Sequence, residues 1–92
     1  MVCIPDSILC DGTIPPICRL LLCIVASQAD DKYCAAEISR KKLIERLGVT
    51  QHTIRRAVCL LERRGLLEVV PQTHENGAYA ANIYMLKGAE II

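Results

Sequence analysis

Phenylalanine and tryptophan are absent from the 92-residue chain and tyrosine occurs three times, so the interior has to be built from Leu, Ile, Val, Ala and Cys. Aromatic platforms on which unpaired bases stack are thereby disfavoured. No two cysteines stand in a C-x-x-C pair. His52 and His74 form no zinc-finger spacing with the six cysteines, Cys3, Cys10, Cys18, Cys23, Cys34 and Cys59. The expectation is no metal, no cofactor, and reduced, mostly buried thiols. A phosphate-cradling glycine loop, a nucleophile elbow and a zincin helix are also missing, and the two histidines have no adjacent carboxylate pattern. That speaks against an enzyme, and no catalytic residue is assigned.

The most apolar stretch, Leu20–Ala26, is far shorter than the roughly 20 residues needed to cross a bilayer. Met1–Thr13 has no basic n-region, and Pro5, Asp6 and Asp11 break its apolar residues, so it does not read as a signal peptide. A cytoplasmic protein without membrane contact is expected. With 52% hydrophobic and 23% charged residues, the chain has the composition of one packed domain rather than of a disordered segment.

The formal net charge of +1 hides an asymmetry. Between Ser39 and Gly65 lie eight basic side chains, Arg40, Lys41, Lys42, Arg46, Arg55, Arg56, Arg63 and Arg64, against Glu45 and Glu62, a net +6; the rest of the chain carries −5. A polyanion-binding face on an acidic body produces this pattern, and so does an ordinary solvated helix face.

Local signals place the elements. Pro15 and Pro16 suit the start of a helix running to Gln28, because proline at the first helical position forfeits no intrahelical bond. This helix is apolar nearly all round apart from Arg19, as expected of one packed between other elements or lying in a homodimer contact. Asp30 and Asp31 close it, and Tyr33–Ile38 reads as a short strand. Ser39 caps a second helix, Arg40–Leu47, which Gly48 ends, and Thr50 caps a third that continues through Arg64 to Gly65. In that third helix Ile54, Ala57, Val58 and Leu61 follow i, i+3, i+4, i+7, one buried stripe. His52, Arg56, Cys59 and Arg63 then point away from the core with Arg55 beside them. Arg64 falls nearer the buried side and suits a salt bridge or a cap of the helix end. Leu66–Val70 and Ala81–Leu86 read as paired strands, with Asn76-Gly77 a favoured turn in their connection.

This order, carried by Leu43-Ile44-Glu45-Arg46-Leu47-Gly48-Val49-Thr50-Gln51-His52-Thr53-Ile54-Arg55-Arg56-Ala57-Val58 and by Leu61-Glu62-Arg63-Arg64-Gly65-Leu66-Leu67, resembles the winged helix-turn-helix domain. The fold class implied is mainly α with a small β-hairpin wing (α+β), a three-helix winged helix-turn-helix spanning residues 14–87 between an extension, 1–13, and a tail, 88–92. Ile4-Pro5, the apolar first helix and Asn82-Ile83-Tyr84-Met85-Leu86 make the fuller chain similar to the amino-terminal domain of phage and plasmid replication initiators. Small transcription regulators share most of these features. The chain departs from the family at Ile44, where a small residue is usual, and in a wing that offers His74 and Glu75 but no Lys or Arg.

The resemblance implies a recognition helix, Gln51–Arg64, in the major groove of double-stranded DNA. Base-reading candidates are Gln51, His52, Thr53, Arg55 and Arg56; Arg pairs bidentately with guanine and Gln with adenine. Phosphate-contact candidates are Lys41, Lys42, Arg46, Thr50 and Arg63. The competing expectation is a protein–protein interaction module in a larger assembly, which the charge-poor wing and apolar first helix would serve.

Overall fold

A computed structural model describes residues 2–71 and 82–91 of the chain. The elements run β1 (Val2–Cys3), α1 (Asp6–Leu9), α2 (Pro16–Gln28), β2 (Ala35–Ile38), α3 (Arg40–Leu47), α4 (Gln51–Arg63), β3 (Leu67–Val70), β4 (Asn82–Leu86) and β5 (Glu90–Ile91). The fold is α+β. Among the described residues, four helices accompany a three-stranded antiparallel sheet of order β2-β4-β3 and a two-stranded pairing of β1 with β5.

Helix ends follow their local chemistry. Pro16 opens α2 with no side-chain cap. The turn after it is closed by Asp30, whose Oδ1 accepts from the Tyr33 amide at 2.6 Å. Cys34 there takes a positive φ of 53°, which lets its amide reach the Asp30 carbonyl at 3.0 Å. Ser39 Oγ accepts from the Lys42 amide at 3.1 Å, and Gly48, left-handed at φ 65°, returns its amide to the Ile44 carbonyl at 2.9 Å. Thr50 Oγ1 accepts from the Thr53 amide at 3.3 Å. At the far end of α4, Leu66 donates to the Leu61 carbonyl and Gly65 to that of Glu62, each at 3.0 Å. That pair of bonds is a Schellman motif, which satisfies carbonyls the helix leaves without partners.

One apolar core joins all layers. Leu21, Leu22 and Val25 of α2, Leu43 of α3, Ile54, Ala57 and Leu61 of α4, and Ile38, Leu67 and Tyr84 of the sheet are buried. In α4 the buried residues are three of the four of the sequence stripe; Val58, the fourth, is half-buried against the same core. Ile44 is half-buried there too.

Several features exceed what local pattern revealed. The amino-terminal stretch contains the short helix α1, and its Val2 belongs to the core. The two chain ends meet, Val2 opposite Ile91 and Cys3 opposite Glu90. The strand β2 joins β4 with Ala36 opposite Tyr84, so the hairpin strands β3 and β4 belong to a larger sheet. The expectation of mostly buried thiols needs correction. All six cysteines are free, but only Cys18 is buried; Cys3 and Cys34 are intermediate, and Cys10, Cys23 and Cys59 are exposed. Cys23 and Cys59 sit on the solvent faces of α2 and α4, where helical periodicity rather than residue type sets exposure. The apolar helix α2 is likewise not covered all round, since Leu20 stands 55% exposed. Among the described residues no helix is long and apolar enough to cross a membrane. The expected turn at Asn76-Gly77, with His74 and Glu75, lies outside the described residues.

Candidate nucleic-acid interface

The geometry of α4 follows from its inner stripe. With Ile54, Ala57 and Leu61 pinned in the core, successive side chains at about 100° intervals put His52, Cys59 and Arg63 at the outward apex, with Arg55 and Arg56 on opposite flanks. Gln51, His52, Arg55, Arg56, Cys59 and Arg63 are all exposed. Among the described residues the ion pairs join Arg64 to Asp11 and Lys87 to Glu68. Arg55, Arg56 and Arg63 are in neither, so their charge is free to act on a ligand.

The remaining candidates divide. Lys41 and Lys42 are exposed on α3. Arg46 is exposed but tied to α2: with the Gln28 amide turned so that its oxygen faces the guanidinium, Oε1 accepts from Nη1 at 2.6 Å and from Nη2 at 3.3 Å. Thr50 works as the cap of α4, and its hydroxyl lies 3.1 Å from that of Thr53. Thr53 is half-buried and points toward α2, lining a groove of about 300 Å³ with Pro15, Ile17, Cys18, Arg56, Ala57 and Leu60. Thr53 was a candidate through the resemblance and not through helix periodicity, which already sets it about 100° from His52.

A second groove, of about 200 Å³, runs along the other flank of α4, where Arg40, Arg55, Cys59, Glu62 and Asn82 surround a floor of Ile54, Val58, Val69 and Tyr84. Arg40, the first residue of α3, is not among the residues the sequence singles out for a nucleic-acid contact. Its place beside Arg55 depends on how α3 packs.

Arg64 turns away from this face. Its Nη1 donates to Thr13 Oγ1 at 3.0 Å and its Nη2 to the Thr13 carbonyl at 3.1 Å, with Asp11 Oδ2 at 3.9 Å. This is the salt-bridging role its wheel position suggests. Asp11 accepts from both the hydroxyl and the amide of Thr13. These bonds, helped by the nearby guanidiniums of Arg64 and Arg19, hold its carboxyl below the ordinary aspartate value. Burial pushes the Cys18 thiol up, against a smaller opposing pull from Arg64. No three His, Cys, Asp or Glu side chains among the described residues gather to hold a metal ion.

Comparison of the chain with protein-family models, with curated proteins and with solved structures returns no match.

Proposed function

We propose that the chain is a sequence-specific double-stranded DNA-binding domain of the winged helix-turn-helix type, serving replication initiation or transcription regulation in the cytoplasm. The observation that carries this reading is the outer face of α4. His52, Arg55, Arg56 and Arg63 stand exposed on a helix anchored along its opposite side, with no carboxylate of the described residues paired to the three arginines. The major groove, about 12 Å wide, admits one helix. Gln51, His52, Arg55 and Arg56 then face base edges, and Lys41, Lys42 and Arg63 neutralise phosphates.

Selection from random duplex DNA, followed by affinity measurement at several salt concentrations, tests this. Binding should weaken steeply with salt, by about 0.9 in log–log slope per phosphate contact. Arg56→Ala should cost about 1–3 kcal/mol and relax preference at one base pair. Affinity indifferent to salt and to sequence would count against the reading.

A second reading, a protein-interaction module or a homodimer through α2, draws on the exposed Leu20 and Cys23 of that helix. Sedimentation of the chain beside Leu20→Glu separates the two. Self-association that Leu20→Glu abolishes supports a dimer, and partner capture unaffected by Arg55→Ala and Arg56→Ala supports a protein-interaction role.

A further inference from the structure

Arg55 and Arg56 are neighbours in sequence but serve different grooves. One residue of α-helix turns the side chain by about 100°; Arg56 lines the groove beside α2, while Arg55 lines the groove beside α3 and the sheet. The same flank receives Arg40, the first residue of α3, and Asn82, the first residue of β4. Two arginines from separate elements thus line one space of about 200 Å³. Neither arginine is in an ion pair among the described residues. Glu62 also lines the groove, but it stands two helical turns, roughly 10 Å along the axis, beyond Arg55, and lies within ion-pair distance of neither arginine. Two like charges sharing a partly walled groove repel, and a single anion between them reverses the sign of the interaction. The planar guanidinium fork matches phosphate oxygens, and the side-chain amide of Asn82 adds a neutral donor.

We propose that Arg40 and Arg55 hold one backbone phosphodiester of DNA in this groove, with Asn82 as a third donor. The inference rests on the DNA-binding reading and sharpens it. Arg55 becomes a backbone contact instead of a base reader, Arg40 joins the interface, and base reading falls to the apex and opposite flank of α4. The phosphate belongs to the strand that passes between α3 and the base of the β3–β4 hairpin.

The test uses the whole chain and a duplex obtained by selection, with Arg40→Gln, Arg55→Gln and the double variant, each checked for retained helical circular dichroism. Each single variant should weaken the selected duplex and a scrambled duplex by the same factor and lower the salt slope by part of the roughly 0.9 that one phosphate contributes, and the double variant should remove all of it. The double variant should lose less than the product of the two single losses, because both arginines share one partner. A scan of single methylphosphonate linkages should find one position that weakens the unmodified chain, weakens each single variant less, and leaves the double variant indifferent. That scan reads the contact in the native chain, so a variant that folds poorly does not remove the test. Relaxed preference at one base pair with an unchanged slope for Arg55→Gln overturns the clamp while leaving the DNA reading intact. So does a scan in which no single linkage matters while inorganic phosphate binds the groove, a result that assigns it to a free anion. Absence of any duplex binding by the unmodified chain overturns both.

Discussion

Arg64 and Thr13 are 51 residues apart in sequence and joined by two hydrogen bonds, guanidinium to hydroxyl at 3.0 Å and guanidinium to backbone carbonyl at 3.1 Å. The contact ties the end of α4 to the loop that launches α2. It adds a polar tie to the core packing of Ile54, Ala57 and Leu61 that orients the helix.

Because this contact is partly exposed, its loss should be modest: Arg64→Ala is expected to destabilise the fold by about 1 kcal/mol. A double-mutant cycle with Thr13→Ala, read by urea denaturation, should return a coupling energy clearly different from zero. Strict additivity would mean that the two side chains do not act together in solution.

Asp11 carries a pH signature. Its carboxyl titrates below the ordinary aspartate value because the Thr13 hydroxyl and amide donate to its ionised form. The stabilisation is therefore fully present above the unfolded-state value and is lost as pH falls through the depressed folded-state value. The urea midpoint of Asp11→Asn should lie below that of the parent at neutral pH, and the gap should close under acid conditions. A gap that persists unchanged at the lowest pH would rule out the linkage.

The turn between α3 and α4 should be sensitive to backbone more than to volume. A Cβ placed on Gly48 meets nothing within 4 Å, yet the residue sits at φ +65°. Gly48→Ala should thus cost about 1–2 kcal/mol through conformation alone, and Gly48→Asn should cost less, since Asn tolerates this region. Loss of the neighbouring cap in Thr50→Ala should add about 0.5–2 kcal/mol. Thermal unfolding of the three variants gives the order directly.

The thiols should react in two classes. Cys10, Cys23 and Cys59 are exposed, whereas Cys18 is buried, with its thiol pushed up and its Sγ 3.8 Å from the Ala57 carbonyl. Reactivity follows thiolate fraction and access. Native-state alkylation followed by mass spectrometry should label the three exposed cysteines first and Cys18 only when the chain unfolds. Early labelling of Cys18 would show that α2 and α4 are not closely packed around it.

Much of the candidate interface was legible from residues alone because its signals are local. Ser39, Gly48 and Thr50 stand where orphan backbone groups need partners, so the bounds Arg40–Leu47 and the start of α4 follow from cap chemistry, while proline at the first helical position marks the start of α2. The period of Ile54, Ala57 and Leu61 orients the arginines of α4. What remained hidden depends on neighbours distant in sequence. Nothing near Arg40 marks it as sharing a groove with Arg55, and nothing near Arg46 reveals its bond to Gln28.

The order of covalent neighbours determined where α2, α3 and α4 begin and which side of α3 and α4 is apolar, since caps and periodicity act within a few residues. Tertiary packing alone decided that β1 meets β5, that β2 extends the hairpin sheet, and that Arg55 and Arg56 look into separate grooves. Those outcomes arise from burying one shared apolar interior between elements far apart along the chain, a condition that no short window of sequence contains.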